Sequence, residues 1–205
     1  MKPILLVFSI AIAFSFARPQ AYTIRDAYHN IPIEYLPSTK AYLNGKSDNK
    51  ENRDKILTYH NKEREFIKLN HSGSKLTGQL MMFVSGTDIY VVVEHSFCRS
   101  GKCQNEFVIL MKKGDGFVDV TASVLKDFEL SVSKWKGTIK KEMKNSYGTN
   151  DYFESLGLND NNTLKEYLIW QLDEQSGHIK LNESSLPYTL ATYSWDEKKG
   201  EFKKD

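Results

Sequence analysis

The sequence predicts an α+β protein: an antiparallel β-meander sheet with a few helices packed on it. Three observations lead there. From Arg64 onward apolar residues recur with period two, in runs separated by tight Gly/Ser/Asp turns. The long crossovers that parallel strands need are missing between those runs. Helix-like segments precede the strands in each half of the chain.

In chain order, Thr23 to Pro37 predicts a short helix ending in a turn, because Pro32 and Pro37 bias Ile31 and Leu36 away from helix. Asn44 to Asn52 is a polar loop. A short amphipathic helix fits Lys50 to Tyr59, with Ile56 and Leu57 on its buried side. Strands follow over Phe66 to Leu69, Leu76 to Val84, Ile89 to Phe97, Phe107 to Lys112 and Phe117 to Val120. Turns at His71-Ser72-Gly73-Ser74, Ser85-Gly86-Thr87-Asp88 and Lys113-Gly114-Asp115-Gly116 separate them. Thr121 suits the N-cap of a helix over Ala122 to Phe128. Ser133 to Met143 continues as helix, interrupted near Gly137, and the polar stretch Asn145 to Thr163 is the best internal boundary. A second strand group runs Tyr167 to Leu172, His178 to Leu181, Tyr188 to Trp195 and a closing hairpin through Lys198-Lys199-Gly200 to Phe202. Both halves, 18–120 and 121–205, therefore run helix then strands. A duplicated unit forming one continuous sheet, with helices on one face, would give that order within a single domain, 18–205.

Residues 1–17 have the form of a secretory signal peptide. Lys2 supplies the positive n-region, Ile4 to Phe16 the apolar run, and Ser15-Phe16-Ala17 the small residues before cleavage. The run is shorter than the roughly 20 residues a membrane span needs, and no other long apolar run follows. A secreted or periplasmic protein, soluble once the signal is removed, is the expectation. With 28 Lys+Arg against 26 Asp+Glu, no net field points to nucleic acid. Sequons stand at Asn70, Asn161 and Asn182.

Cys98 and Cys103 flank Arg99-Ser100-Gly101-Lys102 between two strands, and an exporting pathway would join them across the hairpin. So small a loop stabilises by only about 2 kcal/mol. Arg99 and Lys102 would then form a rigid basic tip, a candidate binding feature, or an ordinary solvated turn. The C-x4-C spacing is not that of a redox pair, and two thiols without further ligands do not make a zinc site. His95 shares a strand face with Ile89, Val91, Val93 and Phe97, while Glu94 lies on the opposite face. A histidine there is either a catalytic base or a core-edge group satisfied by hydrogen bonding. No G-x-S-x-G elbow, phosphate loop, dinucleotide fingerprint or calcium loop appears. No catalytic residue, metal or cofactor is therefore expected.

Several stretches resemble pieces of small exported bacterial proteins of uncharacterised function: Asn30-Ile31-Pro32-Ile33-Glu34-Tyr35-Leu36-Pro37, Asn52 to Leu57, Gly116 to Thr121, and Tyr193-Ser194-Trp195-Asp196 with Gly200-Glu201-Phe202. The resemblance implies a periplasmic or secreted α+β domain and carries no activity. Two functions are weighed. One is a non-enzymatic domain binding a protein or surface ligand. The other is a hydrolase with a dispersed active site, for which His95, Glu94 and a serine are the candidates.

Overall fold

The computed structural model describes residues 22–70, 76–99, 102–149, 151–183, 186 and 189–205. At Cys98, Arg99, Lys102 and Cys103 it describes the backbone and not the side chains. The predicted signal peptide and the turn at His71-Ser72-Gly73-Ser74 lie outside the described residues.

Helix α1 (Ile24–Asn30) opens on a capping box: the Thr23 hydroxyl accepts from the Asp26 N–H, and the Asp26 carboxylate accepts from the Thr23 N–H. It ends where Pro32 holds Ile31 in extended backbone. The buried Arg53 guanidinium donates to the Tyr28 and Ile31 carbonyls at 2.7 and 2.9 Å, partnering carbonyls at the end of the helix. Both oxygens of Asp48 hold that guanidinium in place. After a 3-10 turn at Ile33–Tyr35, Pro37 opens helix α2 (Pro37–Tyr42), in the position where its missing N–H costs nothing.

Helix α3 (Lys50–Asp54) is shorter than the helix predicted to reach Tyr59. Leu57–Asn61 is instead strand β1, paired with β2 (Phe66–Asn70). Thr58 and Tyr59 suit a pleated surface, and pairing with β2 outweighs a two-residue helical pattern. Strands β3 (Leu76–Ser85), β4 (Asp88–Arg99), β5 (Lys102–Lys113) and β6 (Gly116–Asp119) complete a six-stranded antiparallel meander in chain order. Period two divides its core residues cleanly. Ile67, Leu69, Leu80, Val91, Val93 and Leu110 pack with Ile24, Tyr28, Ile31 and Leu36 of the N-terminal segment. Phe66, Met81, Tyr90, Val92 and Ile109 face the other way, into a core shared with the second half of the chain.

That half begins with α4 (Thr121–Val124), α5 (Asp127–Tyr147), α6 (Asp151–Ser155) and α7 (Asn161–Tyr167). Thr121 is not the predicted N-cap. Its hydroxyl donates to Asp119 at 2.7 Å and accepts the Ile109 N–H at 2.8 Å, and Val120 stands at the cap position. Helix α5 runs unbroken through Gly137. A lone glycine costs about 1 kcal/mol, less than the burial of Trp135, Ile139 and Met143 on the same helix contributes. The stretch predicted as a turn-rich boundary carries α6 and buries Phe153 and Leu158 in the shared core.

Strands β7 (Leu168–Leu172), β8 (Ile179–Glu183), β9 (Thr189–Asp196) and β10 (Glu201–Lys204) form a second antiparallel meander. The strands thus make two sheets, not one continuous sheet, and helices lie on both sides of the first. Side chains from both sheets meet in an aromatic cluster. Phe83 and Tyr90 stack against Trp195 with centroids 5.4 and 5.0 Å apart, and Phe202 meets Phe83 edge-on at 5.1 Å. The Trp195 indole N–H donates to the Val84 carbonyl at 3.1 Å, which fixes how the sheets meet.

Candidate functional site

The first sheet ends unevenly. Strand β5 has 12 residues and its neighbour β6 only 4, so β6 pairs with Leu110 to Lys113 and no further. Beyond that point the chain turns away. The Val120 N–H donates to the Ile109 carbonyl at 2.9 Å, and the Thr121 hydroxyl takes the Ile109 N–H. Backbone groups alternate along a strand, so those of Phe107 and Asn105 point the same way as those of Ile109. No described strand is registered against them. Among the described residues the edge of β5 is therefore unpaired there.

A groove of about 620 Å³ runs beside this edge. On the side of the N-terminal helices it is floored by Tyr35, Val93 and Val108 and rimmed by Glu34, Glu106 and Asp119. On the other side it reaches Phe107 and Phe128, whose rings lie 6.1 Å apart. All three rim carboxylates are exposed, and among the described residues no cation pairs with any of them.

His95 stands at the base of the groove and is only 3% exposed. Its Nε2 lies 3.2 Å from the Tyr35 carbonyl, which can only accept, so Nε2 carries the proton. Nδ1 is then an acceptor, and the buried Ser38 hydroxyl donates to it at 3.2 Å. Burial holds the imidazole pKa down to about 4, so the ring is neutral at physiological pH. Gly78 faces it across the β3–β4 register, where a Cβ would sit 2.7 Å from Nδ1. The ring occupies the space that glycine leaves. Both ring nitrogens are committed to internal partners, and no carboxylate is bonded to either.

Glu94 projects from the opposite face, as its neighbouring position requires. Buried to 4% exposure, it accepts the Leu172 N–H at 2.7 Å and the Gln79 amide at 2.6 Å. Gln79 also donates to the Leu172 carbonyl at 2.9 Å. Leu172 is on β7, an edge strand of the second sheet, so two side chains of the first sheet serve its outward backbone groups. Burial pushes the Glu94 carboxyl pKa up against these donors, which lower it. A polar cleft of about 330 Å³, lined by Lys68, Asn70, Thr77 and Ser96 among others, lies beside Glu94.

The structure therefore separates the hydrolase candidates. His95 and Glu94 lie on opposite faces of β4, and the hydroxyl at His95 belongs to Ser38, which is fully buried. Cys98 is registered directly opposite Cys103, and Arg99 opposite Lys102, across the hairpin end. Sequence reasoning missed the groove. Its signal is the mismatch between a long β5 and a short β6, hidden because the apolar residues of β5 begin only at Phe107. Among the described residues no cluster of His, Cys, Asp and Glu has the geometry of a metal site, and no helix is long and apolar enough to cross a membrane. Comparison with family models, curated proteins and solved structures finds no match to this chain.

Proposed function

We propose that this chain is an exported, soluble, non-enzymatic binding domain of the periplasmic or secreted kind. One observation carries the reading: a groove of about 620 Å³ lies along a strand edge against which no described strand is registered, while the histidine at its base has both nitrogens occupied. Such a groove offers shape, charge and main-chain groups to a partner, and its histidine is not free to act as a general base. The leader at 1–17 and a Cys98–Cys103 disulfide at the hairpin tip fit a protein working outside the cytoplasm.

Photo-crosslinking from the groove rim tests this. A benzophenone amino acid in place of Ala122, with the protein exported by its own cell, is expected to yield a discrete adduct. The same label at Lys198, in the β9–β10 turn, is expected to yield none. No adduct from the rim, or equal adducts from both positions, would count against a binding role.

A further inference from the structure

We infer that the open edge of β5 is a strand-addition site for an extended polypeptide, basic on one face and apolar on the other. This rests on the binding-domain reading and names the partner's chemistry. The outward N–H and C=O groups of Asn105 and Phe107 form a half-ladder with the spacing of an antiparallel or parallel partner strand. Short β6 leaves that half-ladder unpaired among the described residues while giving it a stop at Ile109, where Thr121 and Val120 have taken both backbone groups.

An added strand lays alternate side chains on the two faces of the sheet. Toward the N-terminal helices its side chains meet Glu106 directly across the ladder, with Glu34 and Asp119 on the rim. Opposite charges paired across strands are favourable and like charges unfavourable, so lysine or arginine belongs there. On the other face the incoming side chains meet Phe107 and Phe128, so aliphatic or aromatic residues belong there. The recognised feature is thus a short alternating segment, such as a flexible tail or loop of another protein presents.

The probe is an acetylated, amidated heptapeptide alternating valine and lysine, added to protein purified after expression of the full chain. Two control peptides accompany it: one with every second backbone amide methylated, one with glutamate in place of lysine. Binding is followed by fluorescence anisotropy, and amide hydrogen exchange is read by NMR at Asn105 and Phe107. The expected result is saturable binding that slows exchange at both amides at least tenfold. The methylated peptide loses binding because it cannot complete the ladder. The glutamate peptide binds at least tenfold more weakly, and the double variant Glu34→Lys/Glu106→Lys reverses that preference. Asn105→Pro removes one outward N–H from the edge together with the side chain that bonds Ser96 and Glu94, so Asn105→Ala is its control: the proline variant weakens binding, the alanine variant does not, and neither alters the far-ultraviolet circular dichroism.

Equal binding of the methylated peptide, or protection confined to residues away from β5, overturns the proposal. So does protection of Asn105 and Phe107 before any peptide is added, which would mean that residues 1–21 or a second copy already fill the edge. A crosslinked partner that leaves both amides exchanging freely would keep the binding-domain reading and discard the strand-addition site.

Discussion

Two adjacent residues hold the structure together from opposite sides, and each titrates in its own direction. His95 has a folded pKa of about 4 against its ordinary 6.5. The unfolded chain therefore binds more protons between those values, and stability rises with pH there. The contribution is complete above about pH 6.5 and is lost as pH falls toward 4, an amount of order 3 kcal/mol. Glu94 runs the other way. Its folded pKa is raised, so it removes stability as pH climbs from its ordinary 4.5 through the raised value. Urea unfolding across pH 4 to 8 is expected to show the histidine slope disappear in His95→Gln. Glu94→Gln, which keeps one acceptor for Leu172 and Gln79, should leave neutral-pH stability unchanged or higher, while Glu94→Ala should cost about 1–3 kcal/mol by stranding the buried Leu172 N–H. Gly78→Ala should cost about 1–3 kcal/mol by overpacking against His95, and His95→Ala in the same chain should relieve part of that loss.

Among the elements, helix α5 and the β4–β5 hairpin make the sharpest claims. Gly137 lies mid-helix and exposed, with nothing within 4 Å of where a Cβ would sit. Gly137→Ala should therefore stabilise by about 0.5–1 kcal/mol, read as a shifted denaturation midpoint at constant slope. Gly148 at the end of the same helix has φ +77°, and its N–H bonds the Lys144 carbonyl at 2.8 Å. Alanine there should destabilise, because the left-handed conformation carries a cost for any Cβ. At the hairpin tip, the opposed register of Cys98 and Cys103 leads us to expect one oxidised pair in non-reduced peptide mass spectra of protein produced in an oxidising compartment. Replacing both with alanine should cost about 2 kcal/mol and leave the sheet intact.

Strands were legible where alternation and a glycine turn coincided, as at β3–β4 and β9–β10. Helix limits were less so, since Leu57 and Ile56 satisfy a helical and a strand pattern equally. Thr121 carried a cap signature but is bonded to Ile109, a long-range contact that no local window contains. The faces of His95 and Glu94 followed from parity alone, whereas their partners, Tyr35, Ser38 and Leu172, are dozens of residues away and had no local signal.

At the scale of the molecule, one core joins both halves: Phe66, Met81, Val92 and Ile109 pack in the same cluster as Trp170, Ile179, Tyr193 and Phe202. Neither half can bury its side of that cluster alone. Residues 18–120 expressed without the rest should bind a hydrophobic dye strongly and aggregate, and mixing with 121–205 should suppress both. In the intact chain, tryptophan emission, which comes entirely from Trp135, Trp170 and Trp195 in the second half, should follow the same unfolding curve as the strand signal of the whole.

Strand β4 also imposes a counting rule. Glu94 reaches into one layer and His95 into the other because a strand has only two phases. Inserting a single residue between the Gly86 turn and Glu94 would shift both by one position, carrying a carboxylate into the layer of the Tyr35 carbonyl and the imidazole to the other face, away from both its partners. Inserting two would keep each side chain in its own layer but carry it roughly 7 Å along the strand. The distance from that turn to these two residues is thus constrained in parity as well as in length, and an insertion of two should be tolerated better than an insertion of one.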